Sequence, residues 1–408
     1  MSADQPGGTA AASPPVSLRV IAIQWGRIGC TGFGGPPAHI ALLRDLCVKR
    51  RGWISAEEFE DGIAAVNLMP GPASTQLAIF CAWRLAGTAG ALVGGLCFIV
   101  PGLIVILALS ALFLAHSPPS WVTGAAAGAG AAVPAVAVSA AVSLMPASWR
   151  RAVSRDAGAG EDAAKNAAPA RVRWVCYLVA GGLAAGLAGE FVVVVLLCCG
   201  LAELLIRRPP AGSPPQAWLG PLVLRTGAAA GGLLSVAWVA LKVGALSFGG
   251  GFVIIPLMQR DAVHTYHWMT GAQFLSAVAL GQVTPGPVVQ TVAVVGYAAA
   301  GVGGGLLASA VAFAPSFVFV LVGGRHFDRF RTSQRARAFL CGAGPAAIGA
   351  IGGAAVTLGL ELTRIWQIVV LAAALGWLLG LRRSVVAAIL GAAGIGIIVA
   401  LAGGAGWA

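Results

Sequence analysis

Two proline–glycine–proline triplets, Pro70-Gly71-Pro72 in NLMPGPASTQ and Pro285-Gly286-Pro287 in GQVTPGPVVQ, interrupt otherwise apolar stretches. Proline lacks an amide donor and clashes with the preceding helical turn, and glycine adds freedom, so neither stretch continues as one helix. Proline at a helix start forfeits no hydrogen bond, which predicts helices that restart at Ala73 and at Val288. The first-turn N–H groups of Ala73, Ser74 and Thr75, and of Val288, Val289 and Gln290, are then free. Together with the helix dipole they make a site for an anion. Hydroxyls and amides stand beside them in Ser74, Thr75, Gln76, Gln290 and Thr291, and Gln282 and Thr284 precede the second triplet. Two cations inside apolar segments, Arg27 and Lys242, suit a dianion. The other reading of each is a side chain that snorkels to the headgroups, which also fits Arg84.

Acidic residues carry the opposite message. Glu190 stands alone in AAGLAGEFVVVV, while Glu57, Glu58 and Asp61 follow Ser55 and read as the capped start of a helix. A cation pathway calls for carboxylates in the core, so the pattern favours an anion. The glycines of TGFGGPP and SFGGGF (Phe33, Gly34, Gly35; Phe248, Gly249, Gly250) end the first helix of each half and allow close backbone approach. Alternatively their amides form an anion-binding nest beside the triplets. Trp53 and Trp268 read as interfacial anchors.

The elements that position these groups must be membrane helices. The chain has 408 residues, 58% hydrophobic and 10% charged, against about 25% charged in soluble proteins. Apolar runs of spanning length recur from about residue 18 onward. The formal charge of +12 gathers in RDLCVKRR, ASWRRAVSRD and RHFDRFRTSQRAR, between apolar runs, as the positive-inside rule requires and without nucleic acid as a partner. The eight cysteines lack metal-ligand spacing, and those in apolar runs read as buried small hydrophobes. Residues 1–17 form a disordered tail without the features of a signal peptide.

A shift of 215 residues aligns GCTGFGG (29–35) with GALSFGG (244–250), Trp53 with Trp268, Phe59 with Phe274 and the two triplets with one another. It also pairs Arg27 with Lys242, Ala78 with Ala293 and Gly90 with Gly305. The chain is therefore two homologous halves, 18–207 and 222–408, joined by a Pro-rich linker at 208–221. If each triplet segment enters and returns rather than crossing, every strongly basic loop falls on one membrane face, with HSPPSW and ELTR on the other; if it crosses, they do not. The first arrangement gives each half five crossings, an odd number. The predicted fold is an all-α polytopic membrane protein of inverted-topology repeats, about ten transmembrane helices plus two re-entrant hairpins. Such repeats with discontinuous helices are the usual build of secondary transporters.

The segments FGGPPAHIALLRD…RRGWISAEEF, NLMPGPASTQLAIF with GALVGGLCFIVPG, and SFGGGFVIIPLMQRD…ALGQVTPGPVVQT resemble the duplicated motifs of the chromate ion transporter family. The resemblance covers both halves in order. It implies a multi-pass protein of the bacterial cytoplasmic membrane that exports chromate and confers chromate resistance, with sulfate as a competing tetrahedral dianion. The family's motif positions fall on Phe33, Gly34, Gly35, Pro70, Gly71, Pro72, Ser74 and Gln76, and on Phe248, Gly249, Gly250, Gln282, Thr284, Pro285, Gly286 and Pro287. One departure is Cys81-Ala82 opposite Gly296-Tyr297, which brings close helix packing there into question. No cofactor is implied, homo-oligomers are admissible, and no P-loop is present, so transport is secondary or potential-driven. A potential negative inside favours exit of a dianion by about 4.6 kcal/mol per 100 mV. The rivals are a transporter of sulfate or another oxyanion and, from another class, an intramembrane enzyme, for which the five scattered histidines offer no metal cluster.

Overall fold

The computed structural model describes residues 16–67, 69, 71–115, 117–153, 163–187, 191–207, 232–247, 254–323 and 333–403. Pro70, Phe248, Gly249, Gly250, Glu190, the linker at 208–221 and most of the N-terminal tail lie outside them. All regular structure among the described residues is helical.

The first half begins with α1 (Leu18–Thr31) and α2 (Pro36–Arg44), which runs on into a wider π turn, Asp45–Arg50. Next come α3 (Ala56–Val66), α4 (Ala73–Phe113), α5 (Ser120–Val153), α6 (Ala163–Leu187) and α7 (Val192–Arg207). The second half repeats the order with α8 (Leu233–Leu246), α9 (Ile254–Gln259) and its π turn Arg260–Thr265, α10 (Gly271–Val283) and α11 (Thr291–Gly323). It ends with α12 (Gln334–Leu360), α13 (Ile365–Leu375) and α14 (Val385–Ala402). Helix starts follow the sequence. Ser55 accepts the Glu58 N–H at 3.1 Å, as expected, and at the matching place Thr270 and Gln273 form a reciprocal capping box.

α4 is two antiparallel arms joined by a reversal at Ala86-Gly87, and α11 reverses likewise at Ala300-Gly301. Gly87 (φ 59°, ψ −149°) and Gly301 (φ 61°, ψ −153°) occupy a backbone region that side chains forbid, which is why glycine stands at both reversals. Within α4, Gly90 and Gly94 press on Ala82 and Gly95 on Ile79, so the second arm runs back along the first. An ion pair between Arg84 and Glu58 holds the end of that first arm beside the start of α3.

The structure corrects the repeat register beyond the triplets. The reversals are 214 residues apart, and the close contacts match Gly90 with Gly304, not Gly305. The missing residue is taken up where Val288–Gln290 form a 3₁₀ turn before α11, so the α-helix expected from Val288 starts at Thr291. In this register Ala82 is the counterpart of Gly296, and both meet the facing arm closely. The alanine is small enough, and the packing doubted from sequence is intact.

Helix contacts come in matched pairs. α1 lies on α4 where Gly29 meets the Phe98 carbonyl, and α8 lies on α11 where Gly244 meets the Ala312 carbonyl. α4 packs on α11 and α5 on α12. The last two helices of each half lie on the other half: α6 and α7 on α12, α13 and α14 on α5. Glycines bring these backbones together, as in Gly181, Gly349 and Gly353 between α6 and α12.

Large aliphatic side chains such as Ile104, Leu183, Val356, Ile365 and Ile398 face outward, while Ser74, Thr75, Gln76 and Gln290 are buried. Among the described residues five helices are long and apolar enough to cross a bilayer, and the chain is a multi-pass all-α membrane protein. Gly349→Ala drives a methyl into the Leu178 carbonyl, whereas Gly352→Ala on the same helix meets open space. Thermal unfolding in detergent is expected to show Gly349→Ala destabilised by about 1–3 kcal/mol and Gly352→Ala unchanged; equal midpoints would mean that α6 and α12 do not pack this way.

Candidate functional site

A crossed pair of backbone hydrogen bonds ties each broken segment to the other half. The Gly71 N–H donates to the Ser247 carbonyl at 2.8 Å, and the Gly286 N–H donates to the Gly32 carbonyl at 3.0 Å. Each triplet thus bonds to the end of the other half's first helix. Gly71 (φ 117°) and Gly286 (φ 98°) need the freedom of glycine to aim these amides. The FGG turn follows the same exchange: Gly35 abuts Val288, at the start of the second triplet's helix. Phe33 is exposed, and Gly34 and Gly35 turn the chain out of α1 with positive φ.

Pro72 and Pro287 precede the restarted helices, with φ of −70° and −68°, and no side chain caps either. The set of free amides is narrower than expected, because the proline carbonyls close tight turns. Pro72 accepts from both Thr75 and Gln76 at 3.0 Å, and Pro287 accepts from Gln290 at 2.9 Å. Ala73 and Ser74, and Val288 and Val289, keep the N–H groups that a helix start cannot satisfy.

All seven predicted polar side chains near the triplets are buried: Ser74, Thr75, Gln76, Gln282, Thr284, Gln290 and Thr291. Their occupations differ. Thr284 and Thr291 donate to the carbonyls of Leu280 and Val288, and so serve their own turns. Gln290 donates to the Ile99 carbonyl at 3.0 Å and accepts from Ser309 at 3.1 Å, tying the second site to α4 of the first half. Ser74 pairs with His39. By contrast Thr75 Oγ1, Ser247 Oγ, Gln282 Nε2 and Ser316 Oγ are buried without a partner among the described residues. Ser316 lies against Gly71, whose amide is held by Ser247, and Thr75 is in the turn that follows. An unpaired buried polar group costs about 1–3 kcal/mol, so several near one broken loop call for a ligand.

The predicted cations fare differently. Arg27 is exposed on α1, off the face that buries Ile21, Trp25 and Ile28, and is not part of this buried cluster. Lys242 is partly buried, and its Nζ lies 2.5 Å from Asp261 Oδ2 and over the Trp238 ring. Burial pushes the Asp261 carboxyl above its usual range, against the pull of Lys242. It is the short contact with Asp261 that occupies the lysine ammonium. Arg84 serves Glu58.

His39, Asp261, Ser247, Ser309 and Ser316 escaped sequence reasoning. Ser247 stood in the aligned SFGG repeat and His39 in GGPPAHI beside the first FGG, so both had a signal. Single serines within the apolar α11 had none.

Substituting Lys242 by Ala strands a buried carboxylate, a change that costs about 3–5 kcal/mol. Lys242→Ala is expected to lower the amount of folded protein in the membrane, and Lys242→Ala/Asp261→Asn to restore it, as read by size-exclusion chromatography. Full abundance of the single variant would show that the pair does not form.

The family model described as "Chromate transporter" matches residues 20–204 and 234–397. The chromate transport protein of Cupriavidus metallidurans is 30% identical over 371 residues, 88% of this chain and 88% of that one. The chromate transport protein of Pseudomonas aeruginosa is 31% identical over 365 residues, 86% and 83% of the two chains. A probable chromate transport protein of Synechococcus elongatus is 28% identical over 357 residues, 85% and 86%. No solved structure matches the chain significantly.

Proposed function

The chain belongs to the chromate transporter family, and from that premise we propose that it is a secondary transporter exporting chromate from the cytoplasm across the bacterial inner membrane. The crossed bonds Gly71–Ser247 and Gly286–Gly32 are the observation that carries the reading, because they bring both triplet-led helix starts into one buried centre. A tetrahedral dianion there is held from the first half by the amides of Ala73 and Ser74 and the Thr75 hydroxyl, and from the second by the hydroxyls of Ser247 and Ser316, the amides of Val288 and Val289, and Gln282. Dipoles and hydroxyls rather than a bare cation do the binding, and Lys242 takes part only when it leaves Asp261.

The two halves are inverted repeats, each with a re-entrant hairpin. The Glu58–Arg84 pair supports the hairpin, since entry and exit lie together. A cleft of about 170 Å³ lined by Phe113, Thr123, Gln273, Glu361 and Gln367 supports the inversion. It gathers the start of α10 with Phe113 and Thr123, at the helix ends next to one turn that basic-loop placement puts outside, and with Glu361 and Thr363 of the other. In a cysteine-free background, Glu57→Cys and its repeat mate Ala272→Cys, both exposed, are expected to react with an impermeant thiol reagent from opposite membrane faces. Reaction from the same face would refute the inversion.

Everted vesicles test the transport reading. Labelled chromate is expected to accumulate when the lumen is positive and to stop doing so when the potential collapses. The Ser74→Ala/Thr75→Ala variant is expected to lose tenfold or more of that uptake at unchanged protein abundance. Sulfate uptake that exceeds chromate uptake would shift the substrate to sulfate, and unchanged uptake by the variant would remove the triplet site.

A further inference from the structure

His39 is completely buried between the turn that ends α1 and the restarted helix α4, its ring edge-on to Phe98 with centroids 5.0 Å apart. Its Nε2 lies 2.9 Å from the Gly32 carbonyl. A carbonyl has no hydrogen to give, so Nε2 carries one, and in the neutral ring Nδ1 is the lone-pair nitrogen. Ser74 Oγ lies 3.3 Å from Nδ1, and the serine hydroxyl must donate to it. In that state the one hydrogen of Ser74 Oγ is spent on histidine and is not available to an anion at the helix start. A protonated ring reverses the bond. Nδ1–H donates, Ser74 Oγ accepts, and the hydroxyl hydrogen is freed towards the turn that also holds the unpartnered Thr75 Oγ1.

We propose that His39 is a proton-linked positioning residue: an oxyanion binding at the Ser74–Thr75 turn is accompanied by uptake of one proton at His39 Nδ1, which swings the Ser74 hydroxyl onto the anion. This rests on the oxyanion site proposed above. The proton comes from solvent, no covalent bond changes in the serine or the anion, and the imidazolium charge compensates part of the anion's. The same Gly32 carbonyl that fixes the tautomer accepts the Gly286 N–H, so the switch touches the second triplet as well.

Other charges do not account for such a switch. The charged and titratable groups of the elements packed on His39 are Arg19, Arg27 and Cys30 of α1, Arg44 of α2 with Asp45, Cys47 and the exposed Lys49 and Arg50 of its π turn, and Cys81, Arg84 and Cys97 of α4. Arg19, Arg27 and Cys30 are exposed, while Arg44 pairs with Glu60, Asp45 with Arg50 and Arg84 with Glu58. Residues 285–291 carry no titratable side chain. The second half lacks the device, since Ile254 replaces His39 at a shift of 215 and valine replaces Ser74 in either register, Val288 at 214 or Val289 at 215.

Chromate binding to the purified full-length protein, measured by calorimetry between pH 8 and 6, tests this. His39→Gln keeps a donor for Gly32 but cannot take the proton. The ratio of wild-type to His39→Gln affinity cancels the titration of chromate itself. It is expected to rise as pH falls, by up to tenfold per unit, the limit for one proton. Buffers of different ionisation enthalpy are expected to show more proton uptake per anion in the wild type than in the variant. Ser74→Ala offers the same comparison if His39→Gln does not accumulate. Flat ratios and equal proton uptake, with Ser74→Ala and Thr75→Ala still weakening binding, would overturn the role of His39 and leave the site standing. If neither alanine variant weakens binding at any pH, the triplet site falls, and this proposal with it.

Discussion

A broken helix inside hydrocarbon leaves polar backbone that no water can satisfy, and in this protein each half satisfies the break of the other. Gly71 and Gly286 reach across to the carbonyls of Ser247 and Gly32. The arrangement makes the halves interdependent, because separating them exposes both breaks at once. It also explains why the exchange continues outward. The last two helices of each half pack on the opposite half, so the centre is enclosed by elements from both repeats. Glycine at the crossings is a condition of that closeness, since even a methyl at Gly349 or Gly244 meets a carbonyl.

Once the breaks are tied together, their polar groups divide by occupation. Thr284, Thr291, Gln290 and Ser309 are consumed by protein partners. Thr75, Ser247, Gln282 and Ser316 are not. Carrying unpaired hydroxyls at full burial is a loss that the fold has no structural reason to accept. A polar ligand at the centre would turn that loss into binding energy, and on the proposed reading four modest donors suit an anion that must also leave.

The large features of this architecture were legible in the sequence because they are local or periodic. Proline at 72 and 287 announces a helix start, Ser55 and Thr270 announce caps, and the shift of 215 residues announces duplication. The lost residue at Val288–Gln290 was hidden, because glycine-rich arms align almost as well at 214 as at 215. The exchange of partners between halves was hidden too, since nothing in one helix says which copy of its neighbour it will meet. The environments of the two cations were not legible, for a plain reason. Repeat symmetry paired Arg27 with Lys242, but burial did not follow the symmetry, and Asp261 has leucine at the matching place, Leu46.

That broken symmetry bears on how the centre works. A perfect twofold site presents the same donors to an anion from both sides and gives no direction to its chemistry. Here the first half keeps the chain from Gly32 through His39 to Ser74, and the second keeps the Lys242–Asp261 pair. One device responds to protons and the other holds a neutralised charge in reserve. The first stands next to backbone of the opposite half, since the Gly32 carbonyl that holds His39 also accepts the Gly286 N–H. On the proposed reading an anion at the centre meets two chemically different halves, and such a difference is what a transporter needs if its two open states are to bind the same substrate unequally.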